Sequence, residues 1–193
     1  YDRVDMQEAK KRNITVTNTP GVNSRAVAEL TFGLILSLVR KIPWLNEKTG
    51  SGEWVRYSGA ELGGKILGIV GLGAIGKIVA QYGKSFGMTV LAYDPYIDRD
   101  YCRRENIEVS GLLPLLEKAD VITLHVPMVP ETYHMINEDA FGRMKPGAFL
   151  VNTARGGLID EDAAILALES GKLRGLGLDA FEQEPPQKSP LFG

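Results

Sequence analysis

The chain has 193 residues, enough for one large domain or one domain with a piece of another. Its 22 Lys and Arg against 24 Asp and Glu leave a formal charge of −2 with both signs scattered, which excludes nucleic acid as the main partner because phosphate binding needs clustered cations. Cys102 is the only cysteine, so an internal disulfide and a cysteine-based metal site are excluded, and a reducing, cytoplasmic setting fits best.

Residues 1–22 read as the end of another unit, with a short helix over 5–12, a short strand over 14–16 and turn chemistry at Asn18-Thr19-Pro20-Gly21. The chain opens on Tyr1 rather than Met and closes on Gly193 just past a Pro-rich stretch, so it is expected to be a cut segment; no signal-peptide pattern opens it. Ser24 is placed to cap a helix reaching about Arg40, apolar nearly all round and so expected between layers, with Pro43 stopping it. The apolar run 30–39 within it is about half of what a bilayer span needs, and no membrane partner is expected. Residues 44–64, with many glycines and both Trp44 and Trp54, read as loop.

From residue 66 strands and helices alternate. Strands are predicted over 66–70, 89–93, 107–109, 121–126, 148–153 and 176–180. Helices are predicted over 75–86, 112–118, 137–143 and from the cap Asp160 to Ser170, where Gly171 ends the last one. This alternation implies a parallel sheet covered on both faces, and right-handed crossovers make it a doubly wound, three-layer α/β domain over residues 23–193.

The strongest motif lies in residues 65–94. A buried strand runs into Gly71-Leu72-Gly73-Ala74-Ile75-Gly76 and then a helix. Gly71 suits the tight turn, Gly73 a close approach of a pyrophosphate, and Gly76 close packing of helix on sheet, while free N–H groups at the helix start favour the phosphate charge. Asp94 ends the next strand 18 residues after Gly76. A carboxylate there accepts from the adenosine ribose hydroxyls and repels the extra phosphate of NADP, and no Arg follows it directly. The stretch therefore reads as an NAD-binding Rossmann unit. The plainer alternatives are a structural glycine turn and a turn or cap aspartate.

Three further polar clusters fall at carboxyl ends of predicted strands: His125-Val126-Pro127, Thr153-Ala154-Arg155 and Asp179 through Glu184. That edge is where open α/β sheets bind ligands. Arg155 can pair bidentately with a substrate carboxylate and polarise an adjacent carbonyl, although taken alone it reads as half of an ion pair. Glu184 can orient a catalytic histidine, or be a solvated loop charge. His125 is a candidate general base but reads rather as a structural strand-end residue beside Pro127 that lines the cofactor pocket, and His134 reads as a loop residue. No cluster has metal-ligand spacing, and there is no nucleophile elbow.

These motifs, together with Ala28-Glu29-Leu30, Tyr93-Asp94-Pro95, Asn152-Thr153-Ala154-Arg155-Gly156-Gly157 and Glu184-Pro185, resemble the NAD-dependent D-2-hydroxyacid dehydrogenase family along essentially the whole chain. Within it, residues 152–160 and 52–64 are most similar to the phosphoglycerate dehydrogenases of serine biosynthesis. The resemblance implies that Ala74 and Ile75 touch the pyrophosphate and Asp94 the ribose. It implies that Val126, Thr153 and Ala154 line the cofactor and that Asp179 binds the nicotinamide carboxamide. Arg155 would hold a 2-hydroxy or 2-oxo acid, with 3-phosphoglycerate the first choice, and Glu184 would pair with a catalytic histidine beyond Gly193. Residues 1–22 would be the last piece of a substrate domain, and the chain by itself is expected to bind NAD without turnover. A homodimer through the cofactor domains is implied, with the helix 30–39, Trp44 and Trp54 as candidate surface or ordinary core. Competing readings are a hydroxypyruvate or glyoxylate reductase, an NAD-sensing corepressor-like protein of the same fold, and S-adenosylhomocysteine hydrolase, against which the Arg155 and Glu184 contexts speak.

Overall fold

The computed structural model describes residues 4–186 and 188–192; the outermost residues of the expected cut segment, Tyr1 and Gly193, lie outside them. Six parallel strands form one sheet: β1 (Ile66–Val70), β2 (Thr89–Tyr93), β3 (Glu108–Val109), β4 (Val121–Leu124), β5 (Ala148–Asn152) and β6 (Leu173–Leu178). The spatial order is β3-β2-β1-β4-β5-β6, the doubly wound arrangement expected. The order reverses between β1 and β4, which pair from Leu67↔Val121 to Val70↔Leu124. A crevice at the carboxyl ends of these two strands is therefore dictated by topology.

The helices are α1 (Met6–Lys11), α2 (Ser24–Arg40), α3 (Ile42–Gly50), α4 (Ala74–Ser85), α5 (Arg99–Arg104), α6 (Leu112–Lys118), α7 (Glu138–Arg143) and α8 (Glu161–Glu169). Side chains alternate across the sheet and divide the core in two. Leu67, Ile69, Val90, Phe149 and Val151 pack with Phe32 and Ile35 of α2 and Val79 of α4. Leu91, Ile122, Leu124 and Leu150 pack with Leu115 of α6, Phe141 of α7 and Ala164 of α8. The central strands β1, β4 and β5 are buried on both faces, which is why they read as continuous apolar runs.

Several sequence expectations are corrected. Residues 14–16 form no strand, because no neighbouring strand pairs with them and Ile14 is exposed. Pro43 does not stop α2. The break comes at Lys41, which adopts left-handed backbone (φ 50°), and Pro43 sits in the first turn of α3, where its missing N–H costs nothing. Residues 44–64 are accordingly not all loop. Helix α2 buries one face only, through Ala28, Thr31, Phe32, Ile35 and Val39, and leaves Leu30 exposed. Helix α5 had no apolar period to betray it; Asp98 caps it by accepting from the Tyr101 N–H at 2.9 Å. Strand β6 begins earlier than expected and ends before Asp179, because Gly175 and Gly177 dilute its apolar signal. Strands β4 and β5 end at Leu124 and Asn152, which moves His125, Val126 and Thr153 from the strands onto the rim.

Candidate active site

The glycine turn follows directly from β1. Gly71 has φ 100°, and a Cβ on it would lie 2.7 Å from the His125 carbonyl, so only glycine fits where β1 and β4 close together. Gly76 permits the first turn of α4 to rest on the Gly71 carbonyl; any Cβ there would overlap that oxygen. Gly73 differs from both. It is exposed, and a Cβ on it would meet nothing within 4 Å. Among the described residues the space above it is thus open, and no side chain caps α4. The N–H groups of its first turn are left for an anion, as a pyrophosphate requires.

Asp94 is half-buried at the end of β2. Its Oδ2 accepts from the Leu72 N–H and its Oδ1 from the Tyr96 N–H, each at 2.8 Å. It therefore fastens the glycine turn to the neighbouring strand, and each oxygen keeps lone pairs for hydroxyl donors. Ile75 is half-buried and Ala74 exposed at the same helix start.

His125 meets the turn through its main chain, and its N–H donates to the Val70 carbonyl at 2.7 Å. The residue as a whole is half-buried, but both ring nitrogens are sealed and find no partner among the described residues. Burial pushes its pKa down to about 4, so the ring is neutral at pH 7. Val126 is buried beside it and Pro127 is exposed on the rim.

At the end of β5 the side chain of Asn152, wholly buried, bridges the turn. Its Oδ1 accepts from the Ala154 N–H at 3.0 Å, and its Nδ2 donates to the Arg155 carbonyl at 2.8 Å. Thr31 of α2 donates to the Val27 carbonyl at 2.8 Å, and a carbonyl can only accept. In its 2.9 Å contact with Thr153 the Thr31 oxygen is therefore the acceptor and Thr153 the donor. Helix α2 and Asn152 together hold the segment that presents Arg155, which is exposed and donates to the Ala154 carbonyl at 2.7 Å. Thr31 did not stand out in the sequence, and Asn152 did so only as the first residue of the motif running to Gly157, with no role given to its side chain.

Arg155 and Glu184 line one cavity of about 370 Å³ with Met128, Tyr133 and Glu182. Glu184 Oε1 accepts from the Phe181 N–H at 3.4 Å. Gly156 lets the loop after β5 lie directly on the Phe181–Glu182 backbone, where a Cβ would overlap it. Asp179 is exposed just past β6, its N–H donating to the Asn152 carbonyl at 3.0 Å. The predicted rim residues thus share one edge of the sheet. His134 lies in a loop, as expected, and its ring is bonded to Glu182. Among the described residues no cluster of His, Cys, Asp and Glu could hold a metal, and no helix is long and apolar enough to cross a membrane.

Comparison with known proteins agrees with this geometry. Residues 32–193 match the family described as D-isomer specific 2-hydroxyacid dehydrogenase, NAD binding domain. The D-3-phosphoglycerate dehydrogenase of Methanocaldococcus jannaschii is 46% identical over 99% of this chain and 37% of its own length. The glyoxylate reductase of Korarchaeum cryptofilum is 43% identical over the whole chain and 60% of its own length. Among solved structures, D-lactate dehydrogenase from Aquifex aeolicus, complexed with NAD and lactic acid, superposes with a TM-score of 0.86 at 42% identity, over 95% of this chain and 56% of that one. The chain thus spans only part of the length of the relatives it matches. A doubly wound sheet, a glycine turn open to a pyrophosphate, an aspartate closing the next strand and a family match over most of the residues lead to one statement: this chain belongs to the D-isomer specific 2-hydroxyacid dehydrogenase family, as its NAD-binding domain.

Proposed function

We propose that the protein carrying this chain moves a hydride between NAD and C2 of a small D-2-hydroxy acid, with 3-phosphoglycerate the preferred substrate. The observation that carries this is the meeting of Arg155 and Glu184 in one cavity on the same rim as the glycine turn. NAD, when bound, supplies the hydride chemistry. Gly71, Gly73, Ala74, Ile75 and Gly76 hold its pyrophosphate, and Asp94 takes the ribose hydroxyls and disfavours the extra phosphate of NADP. Val126, Pro127, Thr153 and Ala154 wall the nicotinamide end, His125 supports that wall through its backbone, and Asp179 meets the carboxamide.

Arg155 binds the substrate carboxylate and polarises the oxygen on C2. In the oxidative direction the C2 hydrogen leaves with its electron pair, and the hydroxyl proton passes to a base as the carbonyl forms. His125 has sealed nitrogens and His134 is held by Glu182, so neither is placed to be that base. A histidine outside this chain, oriented by Glu184, fills the role. Residues 1–22 belong with the substrate domain. The protein works as a homodimer; Trp54, 83% exposed, and the exposed Leu30 of α2 support a partner surface, whereas Phe32, Ile35 and Val39 of the same helix are core.

The choice of 3-phosphoglycerate rests on relatives of that name at 46% and 44% identity. Glyoxylate reduction is the second reading, since glyoxylate reductases reach 43–44%. Kinetics of NADH formation or consumption with 3-phosphoglycerate, lactate, glyoxylate and hydroxypyruvate decide between them. A preference of roughly tenfold or more in kcat/KM for 3-phosphoglycerate is expected. Preference for another acid overturns the substrate, and no turnover with any of them overturns the enzyme.

A further inference from the structure

His134 is the point where the loops after β4, β5 and β6 meet. Its backbone is left-handed (φ 48°), which is costly for a residue with a Cβ and persists only where the surroundings hold it. Both its main chain and its ring are held. The N–H donates to the Gly157 carbonyl at 2.8 Å, in the loop after β5. Its ring stacks on Tyr133 at 4.0 Å between centroids. Nε2 lies 2.5 Å from Glu182 Oε1, in the loop after β6. An ionised carboxylate can only accept, so Nε2 carries the proton and donates. On the other side of the ring, Nδ1 lies 3.9 Å from Asp160 Oδ2. The loop after β6 is tied a second time, by the Glu182 N–H to Glu161 Oε1 at 2.9 Å.

Arg155 lies one residue before the Gly156 that packs on the Phe181–Glu182 backbone, and Glu184 lies two residues after Glu182. The Glu182–His134 bond therefore closes a ring of contacts around the cavity those two residues share.

We propose that His134 is a positioning residue: by gripping Glu182 it locks the loop that carries Glu184 against the loop that carries Arg155, and so sets the separation of the two substrate-side groups. The proposal rests on the roles given above to Arg155 and Glu184. A shift of about 1 Å in such a pair costs on the order of 100-fold in rate. The cofactor side of the rim is built from other residues and is left alone.

The test uses the intact protein with His134→Ala, His134→Gln and Glu182→Gln, each first checked for cooperative melting. Amide hydrogen exchange at residues 181–184 should accelerate about tenfold or more in His134→Ala, as expected when a local tether is cut. The kcat should fall about 10- to 100-fold while the dissociation constant for NAD stays within about twofold. His134→Gln, whose amide keeps a donor, should recover part of both losses, and Glu182→Gln should lie between it and His134→Ala. Unchanged exchange at 181–184 overturns the proposal, as does a loss carried by NAD affinity or one that glutamine does not relieve. The exchange measurement needs no substrate. If no 2-hydroxy acid is turned over but the loop still loosens, the reading of the site falls and the clamp itself stands.

Discussion

The two halves of the rim, assigned above by proposal to cofactor and to substrate, are built in different ways. The pyrophosphate and ribose end of the cofactor half is local: Gly71, Gly76 and Asp94 lie within one strand–turn–helix–strand unit, locked by close backbone packing and by the Asp94 carboxylate on the Leu72 N–H. The substrate half is assembled from three loops far apart in sequence, held by side chains such as Asn152, His134 and Glu182. A turn made of backbone tolerates no added atoms, whereas a cluster of side chains tolerates substitution structurally and loses geometry instead. Mutations in the first half should thus change folding or NAD affinity, and mutations in the second should change turnover.

The largest effect expected is on the substrate side. Arg155→Ala should lower kcat/KM by at least roughly 10²–10³-fold, with NAD affinity unchanged within about twofold. Steady-state kinetics beside an NAD titration check this, and near-normal activity removes Arg155 from its role.

The pH dependence of stability belongs to the cofactor half, through His125. The folded pKa of His125, about 4, lies below the ordinary 6.5. Between those values the unfolded chain binds a proton that the folded chain refuses. The contribution of His125 to stability is therefore undiminished above pH 6.5 and falls as the pH drops toward 4, by about 3 kcal/mol in all. Denaturant titrations across that window should show the slope, and His125→Asn should flatten it. An unchanged slope in the variant places the titration elsewhere.

A paired glycine test separates folding from ligand binding within the turn. Gly76→Ala forces a Cβ onto the Gly71 carbonyl and should cost about 1–3 kcal/mol, visible as a lower melting temperature. Gly73→Ala enters open space and should melt like the parent, yet weaken NAD by about tenfold by blocking the approach of the pyrophosphate. Equal behaviour of the two variants would erase the distinction between them.

An effect no larger than that of Gly76→Ala is expected where α2 touches the rim. Thr31→Val removes the acceptor for the buried Thr153 hydroxyl and should cost about 1–3 kcal/mol of stability if Thr153 is left unpaired. Thr31→Val combined with Thr153→Val should recover part of it, because the unpaired hydroxyl is gone. A double variant no better than the single one refutes the pairing.

Particular residues show what was legible. The glycine turn and Asp94 were, because their spacing obeys local rules of turn and helix geometry. Arg155, Asp179 and Glu184 were legible by position, since a strand end fixes the edge of the sheet even when its boundary is misplaced by a few residues, as in β6. The strand expected at 14–16 failed because a strand needs a neighbour, and a short β-branched triplet carries no information about one. Helix α5 was missed because its ends are set by a cap rather than by apolar period.

The amino-acid order alone thus determined the layer architecture, the glycine turn and the sheet edge that gathers the candidate site residues. Each follows from contacts within a few dozen residues and from the burial of apolar strands. Only the tertiary structure decided that Asn152 braces Arg155, that α2 grips Thr153, and that His134, 48 residues from Glu182 along the chain, closes the substrate half. Such pairings depend on which loops a folded sheet brings together, and no local spacing encodes that meeting.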